Sequence, residues 1–300
     1  MLSNKAAPLE QVLEPTPGQL LSRRIFGHHG VTIGAAVLLV IVLMALLAPW
    51  LAPHDPYHQD LSHRLWGPFW HAKKYDPLHV LGTDKLGRDF LSRIIYGSQI
   101  SLLIGFSTAI ISGIIGSVLG ILAGYFGGKL DMAITFFITM RLSLPVVLVA
   151  LAVVALVGGS LTVVILVLGL LLWDRFAVVL RSATQQARAM DYVAAAQAAG
   201  CSTPRILFSE ILPNVGNQLI VVATLEMAHA ILLEAALSFL GLGVQPPLPS
   251  WGLMVAEGKA FMFFDPWLIT IPGLALFMLV LSINLLGDGI RDITAPENRS

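Results

Sequence analysis

Charge is what this chain has least of. Asp, Glu, Lys and Arg make up only 12% of its 300 residues, while hydrophobic residues make up 56%. A soluble domain of this size carries roughly twice that charge, so a water-exposed globule is excluded. Basic and acidic residues number 18 each, and a net charge of zero gives no electrostatic reason to expect nucleic acid as a partner. Cysteine is nearly absent, and Cys201 alone excludes an intrachain disulfide and a Cys-based zinc site. Catalytic signatures are missing too: there is no Gly-x-Ser-x-Gly and no His-Glu-x-x-His. Gly127-Gly128-Lys129 resembles the end of a phosphate-cradling loop, but Ala123 and Leu130 stand where glycine and Ser or Thr are required. No ATP site of that kind and no catalytic residues are expected.

What is present is apolar length. Val31–Trp50, Ile100–Gly124, Met132–Val157, Leu161–Val179, Gln218–Leu240 and Trp267–Leu286 each match the hydrocarbon thickness of a bilayer as helices. The expected fold is therefore an all-α integral membrane protein with six transmembrane helices. The first run is too long for a signal-peptide core, and Arg23 and Arg24 before it read as the basic flank of an anchor. The corresponding division is a tail 1–29, a first span 30–50, a loop 51–97, a core of five spans 98–287 and a tail 288–300. Lys and Arg are in modest excess on the side holding both termini, which favours termini inside.

The connections carry the information that the spans do not. The loop 51–97 is rich in Pro, His, Trp and Asp and is long for a mere connection. In the second span Gly116, Gly120 and Gly124 recur every fourth residue, a face that lets helix backbones approach within lipid. That face packs either within the chain or against another subunit. The stretch Arg181–Gly216 reads as two short helices. Asp191–Ala199 is alanine-rich and ends at Gly200; Ser202-Thr203-Pro204 then starts a second helix, Ile206–Leu212, which Pro213 ends. Small side chains on the first of these would let it seat in a groove of another protein.

These residues resemble the permease subunits of ATP-binding-cassette importers. The family's Glu-Ala-Ala, three residues, Gly and later Leu-Pro are matched by Tyr192-Val193-Ala194-Ala195-Ala196, Gly200 and Leu212-Pro213. Three further segments are similar to the second permease of the dipeptide, oligopeptide and nickel group. They are Leu81–Asp84 with Gly87–Asp89, Leu237–Gly243 with Gln245–Pro247 and Ser250–Gly252, and Asn284–Gly289. Ala194 departs from the pattern where glutamate is frequent, removing a charge that could meet an ATPase. The resemblance implies a type I binding-protein-dependent importer permease in a bacterial inner membrane, with both termini cytoplasmic. It makes 182–216 a cytoplasmic coupling loop and places 51–97 and 242–265 in the periplasm. The implied partners are a second homologous permease, two ATPases holding ATP and Mg, a periplasmic binding protein and membrane lipid. Alternating access would be driven by ATP bound outside this chain. Dipeptides are the expected substrate, ahead of oligopeptides, glutathione-like peptides and nickel; a secondary transporter or an intramembrane enzyme is more remote.

Candidate residues follow. Tyr192, Ala195, Ala196, Gly200, Leu212 and Pro213 would dock the ATPase, with Gly200 central. Ionisable groups deep in a span usually face an aqueous cavity or the bundle interior, so Glu226, His229 and Glu234 are candidates for the translocation path; the alternative is hydrogen bonding to neighbouring spans. Arg141 with Asp174-Arg175 invites an ion pair. Gly82, Thr83, Asp84, Gly87, Arg88, Asp89, Gln245, Pro246 and Trp251 are candidates for binding-protein docking, or for a structured turn. His54, His58, His63, His71 and His79 crowd the first loop, but their irregular spacing predicts no metal site.

Overall fold

The computed structural model describes residues 27–71 and 75–294. The expected N-terminal tail up to residue 26, Lys73 and Lys74, and the tail from residue 295 lie outside the described residues. The described chain is helical, with only two isolated bridges, Gly67 to Tyr75 and Thr83 to Asp89. Among the described residues five helices are long and apolar enough to cross a membrane, or six if one bent pair counts as a single span.

Helix α1 (His29–Leu46) begins under the His28 ring, whose Nδ1 accepts from the Val31 amide at 3.3 Å. Pro49 does not end it directly; it sits in the first turn of a separate short helix, Ala48–Leu51. Helix α2 (Phe90–Phe126) has 37 residues and reaches roughly 55 Å at 1.5 Å per residue, well beyond a hydrocarbon core. It starts ten residues before its apolar run because Asp89 caps it, accepting from the Ser92 amide at 2.8 Å.

The third apolar run is not straight. Helices α3 (Gly128–Leu142) and α4 (Val146–Val157) meet at 82°. Pro145 lies at the corner, where it lacks an amide donor and pushes Leu144 out of the helical region. Helices α5 (Leu161–Leu171) and α6 (Trp173–Arg188) continue one another past a single interruption at Leu172. Arg141 donates to the Leu171 carbonyl freed by that interruption. The expected Arg141–Asp174 pair is therefore not formed; Asp174 is buried and Arg175 turns to another partner. Helix α7 (Asp191–Ala198) precedes the elbow, α8 (Gly216–Phe239) is the fifth span, α9 (Trp251–Gly258) lies in the connection between the fifth and sixth spans, and α10 (Trp267–Thr294) is the sixth. Helix α10 runs on through Asp288, where a tail from residue 288 was expected, and Asp292 lies 3.3 Å from His28 at the start of α1.

Helix α2 is the axis of the bundle, touching α1, α5, α6, α8 and α9. Its glycine face packs within the chain, onto α6. A Cβ on Gly120 would lie 2.6 Å from the Ala177 carbonyl, and one on Gly124 2.6 Å from the Arg181 carbonyl; one on Gly116 would collide with the Trp173 carbonyl. Lipid tails are as apolar as leucine side chains, so dispersion across such a contact, not hydrophobicity, holds the pair. Mid-helix alanine is ordinarily worth about 1 kcal/mol over glycine. For Gly120→Ala the opposite sign is expected, a loss of about 1–3 kcal/mol from overpacking. A lowered midpoint of thermal unfolding in detergent would report it; an unchanged or raised midpoint would remove the α2–α6 contact as a determinant.

Candidate functional site

Two ends of the bundle carry the unusual residues. At one end, the loop between α1 and α2 folds into a turn whose charges are buried. Asp84 is 4% exposed and Arg88 1%, and Thr83 and Asp89 are also buried. The backbone makes this possible. Gly87 holds φ +74° and lies so close to the Asp60 backbone that any side chain would collide with it; Gly82, at φ +76°, is similarly pressed against Trp66. The Asp84 carboxylate then accepts from the Leu86 amide at 2.8 Å and the Arg88 amide at 3.0 Å, and takes Arg88 Nε at 2.7 Å. Arg93, one turn into α2, reaches both Asp84 and, at 2.8 Å, Glu257 of α9. Arg88 Nη2 stands 3.3 Å from Glu257, and Lys85 Nζ 3.4 Å. Two arginines and two carboxylates thus bolt the start of α2 to α9.

Trp251 completes the joint. It is fully buried, its indole donates to the Ile94 carbonyl at 2.8 Å, and its amide donates to Ser101 Oγ at 3.1 Å. A docking surface must be reachable, so Gly82, Thr83, Asp84, Gly87, Arg88, Asp89 and Trp251 are corrected from docking residues to the internal fastening of the loops. Their alternating charge satisfies itself. Gln245 and Pro246 remain exposed beside them.

The three ionisable residues of α8 do not form one stripe. Glu226 is 1% exposed and accepts from Arg175 Nη1 at 2.9 Å, with His229 Nδ1 3.3 Å away. The Arg175 side chain is 56% exposed, so the cluster presents a cation and holds its carboxylate behind it. An open cavity of 270 Å³ lies alongside, between α6 and α8 and bordered by Leu142. Glu234, two turns further on, is instead buried at the joint of α8 and α9, accepting from Ser238 Oγ at 2.7 Å and Ser250 Oγ at 2.9 Å. Ser250 also caps α9 through the Leu253 amide at 3.0 Å. The geometry places Arg175 and Glu226 beside a cavity, with His229 behind Glu226, and separates Glu234 from them. The pairing of Arg175 with Glu226 is what sequence reasoning missed; it joins two spans and has no spacing signature.

At the other end, α7 and the elbow after it project from the bundle. Val193 faces inward and packs with Ile206, Ile211 and Val215 against Ile121, Tyr125, Leu180 and Ala187. Tyr192, Ala195, Gly200 and Pro213 are exposed, and Ala196 and Leu212 half-buried. Gly200 has φ +76°; its amide donates to the Gln197 carbonyl at 3.0 Å, and the Cys201 amide donates to the Ala196 carbonyl at 3.1 Å. This pair of bonds closes a Schellman motif, which needs a left-handed residue where Gly200 stands. The second short helix begins at Thr203 and widens into a π-helical turn, Ile206–Ile211. Pro213 does not terminate it as expected; it lies inside the last turn, Leu212–Asn214. Proline cannot donate to the Ser209 carbonyl and its ring crowds that oxygen, which is the reason for the wider winding.

The Asp84–Arg88–Arg93–Glu257 cluster has a pH consequence. Burial by itself raises the Glu257 pKa, but the charges of Arg93, Arg88 and Lys85 outweigh it and hold the carboxyl below the usual glutamate range. A depressed carboxylate adds stability above its unfolded pKa and loses that contribution as pH falls through the folded value. Glu257→Gln is expected to destabilise the protein at neutral pH by about 3–5 kcal/mol, since two arginines lose a buried partner. The difference between variant and parent should narrow at acid pH below the usual glutamate range. Thermal unfolding of both proteins across that range checks it; a difference that does not depend on pH would remove the charge role.

Comparison with known proteins agrees with this architecture. Residues 116–300 match the family model described as binding-protein-dependent transport system inner membrane component, and residues 16–68 match that of the N-terminal TM domain of oligopeptide transport permease C. The di/tripeptide transport system permease protein DppC of Pseudomonas aeruginosa is 39% identical over 99% of this chain and 97% of its own length. The dipeptide transport system permease proteins DppC of Haemophilus influenzae and Escherichia coli K12 are each 40% identical over 90% of this chain, covering 91% and 90% of their own lengths. A chain of the MetNI methionine ABC transporter superposes with a TM-score of 0.58 at 17% identity, over 68% of this chain and 98% of its own; it shares the fold. This chain belongs to the family of binding-protein-dependent transport system inner membrane components.

Proposed function

We propose that this chain is the permease subunit of an ATP-driven importer of dipeptides in a bacterial inner membrane. The observation that carries the substrate is 39–40% identity to dipeptide and di/tripeptide permeases along nearly the whole chain. In this reading both termini and the elbow around Gly200 are cytoplasmic, and the loops 51–97 and 242–265 are periplasmic. A second permease completes the path, two ATPases holding ATP and Mg grip the elbows, and a periplasmic binding protein delivers the peptide. Two features support it. The exposed face of α7 presents Ala194, Ala195 and Ala198 beside Tyr192 over a buried Val193 anchor, a shape that a groove on an ATPase can cover. An apolar groove of 630 Å³ runs between α2 and α8, lined by residues such as Phe106, Ile110 and Met227, and suits a second helical subunit or lipid. The chain supplies binding surfaces and moving helices and no chemistry.

Arg175, Glu226 and His229 are the groups of this chain assigned to the path. A peptide in transit carries a carboxylate, and the exposed Arg175 guanidinium is the group that meets it, held in place by Glu226. Glu234 is assigned to the α8–α9 joint instead.

Uptake of a labelled dipeptide by cells lacking the gene, with and without its restoration, tests the whole reading; restored uptake is the expected result. In that background Glu226→Gln should lower uptake severalfold at an unchanged protein level, because Arg175 loses its charged partner. Unchanged uptake would remove the cluster from the path. Gly200→Val tests the elbow separately. A Cβ there meets nothing within 4 Å, so the only internal cost is the left-handed backbone, about 1–2 kcal/mol. The variant should insert normally but co-purify with less ATPase and transport less; full uptake would end the coupling role of Gly200.

A further inference from the structure

Three metal-ligand side chains from separate parts of the first loop meet where it joins α2. His54 follows the end of the short helix Ala48–Leu51, His79 comes late in the loop, and Asp89 is the cap of α2. His79 Nδ1 lies 2.8 Å from Asp89 Oδ1, and His54 Nδ1 lies 3.7 Å from the same oxygen. One donor atom from each residue falls within 4.8 Å of the other two. The two imidazole rings are 4.8 Å apart and tilted by 41°, so neither stacks on the other. The Asp89 side chain is 1% exposed, that of His79 15% and that of His54 35%.

A histidine–aspartate hydrogen bond accounts for two of these groups and leaves the third unexplained. His54 Nδ1 is buried and has no hydrogen-bond partner, an unfavourable position for a polar atom. It is aimed at the oxygen that His79 already contacts. We propose that His54, His79 and Asp89 form a binding site for a divalent transition ion of the zinc type.

The donor set fits that chemistry. Two imidazole nitrogens and one carboxylate oxygen are ligands zinc takes at about 2.0–2.2 Å. At tetrahedral angles such ligands stand roughly 3.3–3.5 Å apart, and the observed 2.8 and 3.7 Å straddle that spacing. Ligation through Asp89 Oδ1 leaves Oδ2 free to go on accepting from the Ser92 amide at 2.8 Å, so the cap of α2 survives. Water takes the fourth position on the His54 side, where the site is open. The ion ties the end of the first span to the start of the second across the loop between them. His63 is outside the site: its Nδ1 is engaged by Asp60 at 2.6 Å, and its ring centre is 6.4 Å from that of His79.

The test uses the full chain in detergent, stripped with a chelator and titrated with zinc by calorimetry. One equivalent is expected to bind and to raise the unfolding midpoint. His54→Gln and His79→Gln should each weaken binding by at least about tenfold, since losing even a group behind a ligand costs 10–100-fold. His63→Gln should leave it unchanged. X-ray absorption at the zinc edge of the unmodified chain gives a reading that no variant can confound: a shell containing two imidazoles supports the site. No saturable binding, binding that both glutamine variants retain, or a shell without imidazole would each overturn it.

Discussion

Contact between two backbones, α2 against α6 at Gly116, Gly120 and Gly124, sets the position of everything else in this bundle. Within lipid there is no water to expel from between helices, so attraction depends on how many atoms reach van der Waals distance. Glycine maximises that number by removing the atoms in between. Once α6 is fixed on α2, Arg175 is carried to Glu226 on α8, and the Arg181 guanidinium reaches Asp131 on α3 at 2.8 Å. These polar contacts are consequences of helix placement, and they then make that placement specific.

The charges where the first loop meets α9 obey a different rule. Asp84, Arg88, Arg93 and Glu257 are removed from water together, in numbers that cancel. Each ion is expensive to bury alone, and the set holds only because every member has at least one opposite partner. A loop rich in Asp and Arg therefore becomes one of the most tightly closed parts of the molecule. Separating any pair would leave a buried charge without its partner, so the set holds the loop in this arrangement.

How far the sequence foretold this varies with the physical signal. Apolar runs mark spans because lipid demands them, and all six regions are helical. The 82° corner at Pro145 was missed because hydropathy is the same on both sides of it, although proline was there to be read. The start of α2 at Phe90 was missed for the opposite reason: Ser92, Arg93 and Gln99 lower the hydropathy, while the capping Asp89 was visible. Gly200 was legible since a left-handed turn after an alanine helix has a local signature. The burial of Asp84 and Arg88 was not, because its partner Glu257 lies 169 residues from Arg88. The pairing of Arg175 with Glu226, 51 residues apart, was hidden in the same way.

The length of α2 has a mechanical meaning. Its first turn is clamped to α9 by Arg93 and to the first loop by Asp89, and its last turn lies under the elbow, where Tyr125 packs with Val193 and beneath the Arg188 guanidinium. An unbroken 37-residue helix is thus held at both ends. A tilt of the elbow carried along this helix would move the opposite rim of the molecule with it.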